Sequence, residues 1–326
     1  MTPASTPAPT RAQRAALVNA ADTLRAKGRS FYWAGHLLSA SHAARATRLY
    51  GFCRYVDDLA DEATCVEQAQ RALARLSDDI AAGCSDDPAT RDVLELMAEC
   101  AIDAALMLEL IRGVASDLLP VRIVDDAALL RYCYRVAGTV GLMMCQLLDV
   151  RDEAALRHAL DLGIGMQLTN ICRDVSEDAR AGRRYLPASR VGALAPQLLI
   201  APAAALQPVL RQCVAALLAQ ADVYYRSGEQ GLPYLPLRAR GAILVAARLY
   251  RAIGAQLRRH DYAFWHARAV VPARSKAALT LHALCSLPLA SHRWRAHRLH
   301  DPALHAHFAD LPYALPRSER PHAHRL

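Results

Sequence analysis

The sequence predicts an all-α protein, and three observations support that prediction. Apolar residues make up 53% of the 326 residues, which is enough to build a sizeable buried core. Alanine and leucine dominate, whereas glycine-rich turns and runs of β-branched residues are few. No alternation of short strands with helices occurs, so a parallel α/β sheet is not expected. We therefore expect a single-domain helical bundle.

The chain divides into three parts by composition. Residues 1–12 predict a disordered leader, residues 13–290 a single helical domain, and residues 291–326 a flexible tail rich in histidine, arginine and proline. The tail histidines do not have the spacing of a metal-ligand set, so we interpret the tail as solvated. Breaks between the helices of the central domain are expected at residues 83–88, 120–126, 182–187 and 228–236.

Charge and cysteine usage narrow the choice of function and compartment. The formal net charge is +8, but the arginines are scattered and much of the excess lies in the tail, so no nucleic-acid partner is expected. The nine cysteines contain no CxxC pair, which indicates free thiols in the cytoplasm. No apolar run reaches the ~18–20 residues that span a bilayer. We expect a cytoplasmic protein that contacts the inner face of the cytoplasmic membrane peripherally, and no pattern predicts an oligomeric state.

Two acidic motifs carry the chemistry. Asp57 and Asp61 lie in LYGFCRYVDDLADE, and Asp174 and Asp178 lie in QLTNICRDVSEDARAGRRYLP. Within each motif the two aspartates are four residues apart, so both carboxylates leave one face of a helix. Carboxylate oxygens suit Mg²⁺, which commonly bridges protein carboxylates to substrate phosphates. The pair of motifs therefore predicts a site that binds a diphosphate through metal ions.

The first acidic motif belongs to a predicted amphipathic helix. Its apolar stripe should face the core and comprises Leu49, Phe52, Cys53, Val56 and Ala60. A polar stripe lies one residue out of phase, about 100° around the helix, and comprises Tyr50, Arg54, Asp57 and Asp61. A stripe in this position borders the core and can line a cleft.

The second acidic motif repeats this arrangement. Its apolar face comprises Ile164, Leu168, Ile171 and Val175, and its polar stripe comprises Gln167, Asn170, Asp174 and Asp178, with Arg173 adjacent. A single aspartate pair at this spacing beside an arginine is usually a solvated face with weak ion pairs. The repetition favours a binding site, because like charges four residues apart cost stability unless something neutralises them.

The sequence resembles the squalene/phytoene synthases, which join two allylic prenyl diphosphates head to head. The resemblance rests on Gly28-Arg-Ser30-Phe31, on the first acidic motif and on Tyr132-Cys-Tyr-Arg-Val-Ala-Gly-Thr-Val-Gly141. It continues from Leu162 through the second acidic motif to Pro187. It implies an all-α, single-domain bundle around a central cavity, the class I isoprenoid synthase fold. Gly141 should permit close helix approach.

The resemblance also implies roles for individual residues. The metal-binding set, for Mg²⁺ or Mn²⁺, would be Asp57, Asp61, Asn170, Asp174 and Asp178. The four aspartates are the catalytic candidates together with Arg54 and Arg173, because a planar guanidinium suits phosphate oxygens. The substrate-binding candidates are Ser30, Phe31, Arg45, Tyr50, Tyr132, Gln167, Asn170, Tyr185, Tyr250 and Arg268.

The segment VAGTVGLMM is most similar to the bacterial members that form phytoene. The implied reaction joins two geranylgeranyl diphosphates through a cyclopropyl (prephytoene) diphosphate, the first step of carotenoid biosynthesis, with no NADPH expected. One alternative is a relative that uses farnesyl diphosphate to make dehydrosqualene, squalene or presqualene diphosphate. Another is a non-catalytic scaffold, which the presence of all four aspartates disfavours. The oily product predicts release at a membrane surface.

Overall fold

The computed structural model describes residues 29–289 and 300–316, and this part of the chain is helical. The predicted leader, residues 1–12, lies outside the described residues. Within them, the only β-type pairing is a parallel bridge between Arg122 and Arg184. The α-helices of the described ranges are α1 (Arg29–Gly35), α2 (Ala40–Asp61), α3 (Val66–Ala82), α4 (Pro88–Cys100), α5 (Ala104–Ser116), α6 (Asp126–Cys133), α7 (Thr139–Leu147), α8 (Glu153–Arg180), α9 (Ala188–Val191), α10 (Gln197–Ile200), α11 (Gln207–Gln230), α12 (Leu237–Arg259) and α13 (Ala273–Leu289).

Helix boundaries follow local signals in the sequence. α4 begins after Asp87, whose carboxylate accepts a hydrogen bond from the backbone N–H of Thr90 at 2.7 Å, and Pro88 occupies its first turn. Asp152 caps the start of α8 in the same way. α3 ends at Gly83, which adopts the left-handed conformation (φ 68°) that favours glycine. All four predicted breaks lie at helix boundaries, although the fourth was placed too early, since residues 228–230 form the end of α11.

α8 is the central helix of the bundle. It packs against α7, α11 and α12, and against a π-helical turn (Tyr134–Gly138) that joins α6 to α7. Its backbone touches that of its neighbours: a Cβ on Gly163 would lie 2.3 Å from the Ala137 carbonyl oxygen. A Cβ on Gly141 would lie 2.2 Å from the carbonyl oxygen of Ala159, so the close approach expected at Gly141 is confirmed.

Both acidic motifs lie at the C-terminal ends of their helices. α2 ends at Asp61 and α8 ends at Arg180, so all four aspartates occupy the last two turns. Negative charge at a helix C-terminus opposes the helix dipole by about 0.3–1 kcal/mol, which favours cationic partners there. The predicted apolar stripe of α2 faces the core, with Leu49, Phe52 and Val56 buried.

Residues 300–316 differ from the predicted flexible tail. Pro302–Phe308 forms a 3₁₀ helix, and Phe308 is fully buried against Tyr134 at a ring distance of 5.4 Å. The hydroxyl of Tyr134 donates to the Pro312 carbonyl at 2.5 Å. Arg131 donates to both oxygens of Asp310 at 2.6 and 2.9 Å. The interpretation from composition was wrong for this segment, because its apolar side chains anchor it to the bundle.

All nine cysteines lie in the described ranges and are free thiols. Five of them are buried: Cys100, Cys133, Cys145, Cys172 and Cys213. Among the helices that the structure describes, none combines the length and apolar character needed to cross a membrane.

Candidate active site

The two acidic motifs face each other at one end of the bundle. Arg183, just beyond α8, joins them: its guanidinium lies 3.5 Å from Asp61 Oδ1, and its backbone N–H donates to the Asp178 carbonyl at 2.8 Å. The carboxylate of Asp117 lies close enough to interact with Asp57 on α2 and with Asp178 on α8. Folding thus brings together two motifs that are far apart in the sequence.

Asp117 is a further carboxylate of this site that the sequence did not identify. It follows α5 and accepts hydrogen bonds from the hydroxyls of Tyr132 and Tyr185, each at 2.8 Å. The two tyrosine rings lie 4.8 Å apart. Burial raises the pKa of both tyrosines far above the usual value, so both hydroxyls stay protonated and donate. Asp117 has no acidic neighbour at helical spacing, so no motif marks it.

Negative charge is concentrated between the two motifs. Burial raises the pKa of Asp57 to about 6, and the charge of Asp61 adds to the shift. Burial likewise raises the pKa of Asp178 to about 7, and the charge of Asp174 adds to that shift. The neighbouring Arg54 and Arg183 offset only part of this effect of burial, so a bound cation would favour the ionised form of both carboxyls.

Arginines contact carboxylates of both motifs. Arg54 donates to Asp57 at 3.1 Å. Arg173 forms a two-pronged contact with Asp174, at 2.7 and 2.5 Å. Arg268, from the loop after α12, donates to the same carboxylate at 2.9 Å. The predicted Arg54, Arg173 and Arg268 therefore all lie at the site, where each can exchange a carboxylate partner for a phosphate oxygen.

Asn170 adds a neutral oxygen beside the second motif. It lies one turn before Asp174, and its amide nitrogen donates to Gln167 Oε1 at 3.3 Å. Its Oδ1 is buried and has no hydrogen-bond partner among the described residues. An unpaired buried oxygen costs roughly 1–3 kcal/mol. Together with the clustered carboxylates it forms a set of hard oxygen donors, which fits Mg²⁺ or Mn²⁺.

A cavity of about 520 Å³ lies beside these side chains. Tyr50, Gln167, Asn170 and Tyr250 line the wall that adjoins the acidic motifs. The wall is otherwise mostly apolar, with small residues where helices meet: Ala137, Gly141, Ala155, Ala159, Gly163, Gly228, Ala242 and Ala246. Such a wall can enclose a long aliphatic chain and exclude water from its reacting end.

Arg45 lies away from this site, and its assignment to substrate binding is corrected. It is nine residues before Arg54 on α2, or about 13 Å along the helix. Its guanidinium pairs with Glu99 at 2.8 Å and with Asp149 at 3.0 Å. It does not line the cavity. The ion pairs connect α2 to α4 and to the loop after α7, which is a structural role.

Four other predicted substrate contacts divide into two pairs. Tyr132 and Tyr185 do not line the cavity and instead approach the acidic motifs through Asp117. The backbone of Ser30 and Phe31 belongs to α1, but their side chains lie outside the described part of the structure.

The chain is similar to known proteins over most of its length. The squalene/phytoene synthase family matches residues 24–275. A 15-cis-phytoene synthase of Pantoea ananas is 34% identical over 295 residues, covering 86% of this chain and 94% of that protein. A 15-cis-phytoene synthase of Enterobacter agglomerans is 37% identical over 268 residues, covering 77% of this chain and 89% of the other.

Solved structures show the same architecture. A dehydrosqualene synthase in complex with a ligand superposes with a TM-score of 0.75 and 28% identity, covering 85% of this chain and 98% of that one. The squalene synthase HpnC from Alicyclobacillus acidocaldarius gives a TM-score of 0.67 at 22% identity, over 77% and 95% of the two chains. The predicted isoprenoid synthase fold is therefore confirmed.

Proposed function

Because the chain belongs to the squalene/phytoene synthase family, we propose that it joins two molecules of geranylgeranyl diphosphate head to head to give phytoene. The reaction passes through a cyclopropyl diphosphate and is the first step of carotenoid biosynthesis. The chain is a prenyltransferase, and its curated relatives named above are phytoene synthases at 34% and 37% identity. The observation that carries the proposal is the pair of facing acidic motifs beside an apolar cavity.

We propose that Asp57, Asp61, Asn170, Asp174 and Asp178 hold Mg²⁺ or Mn²⁺. Their donor atoms are the hard oxygens that these ions prefer, and the raised pKa values of Asp57 and Asp178 indicate that positive charge is needed there. Ions held by these residues would supply positive charge that stabilises the departing diphosphate.

Arg54, Arg173 and Arg268 are the proposed diphosphate ligands of the chain itself. Arg54 pairs with Asp57 and Asp58, and Arg173 and Arg268 both pair with Asp174. Substrate binding would turn these guanidinium groups toward phosphate oxygens and free the carboxylates for metal ions. Arg173 is held in place by its position on α8, whereas Arg268 reaches the site from a loop. We therefore expect Arg268 to adjust its position more than Arg173 as the diphosphate leaves.

The prenyl chains occupy the cavity, and its wall protects the allylic cations from water. Tyr50 and Tyr250 line the cavity close to the arginines, and burial raises the pKa of Tyr250 to about 12, so its ring stays neutral. A neutral aromatic ring close to a cation stabilises it by roughly 0.5–2 kcal/mol. Tyr132 and Tyr185 act instead on the diphosphate side, where their hydroxyls hold Asp117 beside the metal-binding carboxylates.

A peripheral contact between α1, α13 and a membrane would let the oily product leave the cavity. α1 contributes Tyr32 and His36 to the cavity wall. On the same helix Trp33 is 43% exposed, and its Nε1 donates to Thr280 on α13, next to Leu281, which is 66% exposed. We expect replacement of Trp33 and Leu281 by serine to weaken liposome binding. Val223→Ser, at an exposed apolar position on α11, is the matched control.

The test of the proposed function is product identification from purified protein with Mg²⁺ and without NADPH. Geranylgeranyl diphosphate and farnesyl diphosphate are supplied in separate reactions, and the extracted hydrocarbon is identified by mass. We expect a C40 hydrocarbon from the first substrate. A C30 product formed preferentially from the second would instead favour a dehydrosqualene-forming enzyme, the second candidate, which the 28% identity to a dehydrosqualene synthase supports. Turnover of neither would contradict both.

A further inference from the structure

A buried polar cluster lies on α8, away from the proposed active site. Asp161 belongs to α8, Ser227 to α11, and His300 and His305 to the C-terminal segment 300–316. The side chains of Asp161 and His305 are 0% exposed, and that of His300 is 2% exposed. Asp161 precedes Asp174 by thirteen residues, or about 20 Å along the helix. The cluster is therefore distinct from the diphosphate site.

Three metal-ligand atoms converge in this cluster. Nε2 of His300 lies 2.8 Å from Oδ2 of Asp161, and Nε2 of His305 lies 2.8 Å from Oδ1. The ligand atoms all lie within 4.8 Å of one another. Two imidazole nitrogens with one carboxylate form a common ligand set for Zn²⁺ and related transition-metal ions.

The hydrogen bonds around His305 define what can lie between it and Asp161. Nδ1 of His305 is 2.7 Å from the carbonyl oxygen of Ala314, and a carbonyl can only accept, so Nδ1 carries a hydrogen. In the neutral ring, Nε2 then presents a lone pair to the carboxylate of Asp161. Two facing lone pairs require a proton or a metal ion between them. A metal-bound histidine typically donates its other N–H to a backbone carbonyl, as His305 does.

The carboxylate of Asp161 has an outer partner of its own. The hydroxyl of Ser227 donates to Oδ2 at 2.5 Å, which fixes the orientation of the carboxylate. The rings of His300 and His305 lie 4.3 Å apart, and that of His158 lies 5.4 Å from His300. A divalent cation bound by the two Nε2 atoms would supply positive charge directly to the buried carboxylate of Asp161.

We propose that Asp161, His300 and His305 bind a divalent transition-metal ion of the Zn²⁺ class. The ion would fasten the C-terminal segment to α8. Ser227 is followed by Gly228, whose Cβ, if present, would lie 2.7 Å from the Cβ of Leu162, and both Gly228 and Leu162 line the cavity. The metal site therefore reinforces the outer side of the α8–α11 wall, one helix layer away from the prenyl chains.

Metal content and uptake test the proposal directly. The full chain, without an affinity tag, is analysed for metals as purified, then treated with chelator and titrated with Co²⁺ in the absence of Mg²⁺ and substrate. We expect one tightly bound equivalent, the visible absorption of Co²⁺ with nitrogen and oxygen ligands, and displacement by Zn²⁺. No metal as purified, together with no uptake of Co²⁺ or Zn²⁺, would overturn the proposal and leave a proton between His305 and Asp161.

Variants locate the bound ion. His300→Ala combined with His305→Ala should weaken Co²⁺ binding more than about 100-fold, since loss of an outer partner alone costs 10–100-fold. His307→Ala is the matched control, because His307 is exposed and lies in the same segment. Ser227→Ala should weaken binding about 10–100-fold while leaving the ligands in place. Equal binding by the double variant and the control would overturn the assignment even if the chain binds metal elsewhere.

Discussion

Asp161 and Asp178 lie on the same helix in opposite electrostatic surroundings. Although burial opposes it, hydrogen bonds from His300 and His305 lower the pKa of Asp161. Burial and the charge of Asp174 raise the pKa of Asp178 to about 7. The carboxylate of Asp161 is surrounded by histidines of the C-terminal segment, which share with it the metal ion proposed above, and it stabilises the fold, whereas the carboxylate of Asp178 has mainly acidic neighbours. On α8, the neighbouring residues thus distinguish an aspartate with a structural role from one that is available to the diphosphate site.

The largest expected effect is the loss of turnover when an aspartate at the C-terminal end of α8 is replaced. Asp174→Ala should reduce product formation at least about 1000-fold, because the residue is a proposed metal ligand and also contacts two arginines. Circular dichroism should show an unchanged helical fold. Asp78→Ala, at an exposed position on α3, is the control and should retain full activity. Full activity of Asp174→Ala would remove this residue from the proposed metal set.

Replacement of Asp161, in the first half of α8, should lower stability and leave the Mg²⁺ dependence of turnover unchanged. Asp161→Asn should lower the free energy of unfolding by about 3 kcal/mol, because it removes the buried carboxylate that the histidines and the proposed metal ion share. Urea unfolding measures this change. The Mg²⁺ concentration for half-maximal activity should stay as in the parent protein. A shift in that concentration would show that the two ends of α8 are coupled.

Exchanging arginine for lysine tests the geometry of the site. Arg173→Lys keeps the charge but loses the planar fork on Asp174, so kcat/KM should fall by about 10–100-fold. Arg45→Lys is the matched control, because it makes the same exchange in a residue that pairs with Glu99 and Asp149. It should alter activity less than about threefold. Equal losses in the two variants would return Arg45 to the substrate-binding set.

The smallest expected effect is the pH dependence of metal binding at the acidic motifs. With pKa values of about 6 and about 7, Asp57 and Asp178 both carry protons at pH 6 that a metal ion must displace. Mn²⁺ affinity, measured by electron paramagnetic resonance without substrate, should fall roughly tenfold from pH 8 to pH 6. Asp178→Asn should reduce this dependence. Because these pKa values are raised in the folded state, the metal-free protein should lose stability as pH rises through 6 to 7.

The sequence predicted the features that depend on periodicity. The apolar stripe of α2 and the polar stripe ending in Asp57 and Asp61 follow from helical spacing alone, and the structure places them as expected. Asp117 could not be found in this way, because only the fold brings it to the acidic motifs. Arg45 was assigned from the family resemblance, but in the structure it pairs with Glu99 and Asp149 about 13 Å along α2 from Arg54.

For the C-terminal segment, the prediction from composition missed a packed structure. Its histidine, arginine and proline content predicted a solvated tail, yet Leu304, Phe308 and Leu311 form an apolar face that packs on the bundle. Asp161 and His305 are separated by 144 residues, so no spacing rule links them. Composition describes the average of a segment, whereas a few apolar residues at helical spacing decide whether it binds to the rest of the chain.

The close backbone contacts at Gly141 on α7 and Gly163 on α8 determine which residues of the cavity wall can be replaced by larger ones. At Gly141 and Gly163 the next atoms are backbone carbonyls of a neighbouring helix, so a larger residue there would push whole helices apart. Ala242 and Ala246 belong to α12, on a different wall of the same cavity. Attempts to shorten the accepted prenyl chain should therefore enlarge the side chains of α12, and libraries that vary the two glycines would sample mainly misfolded protein.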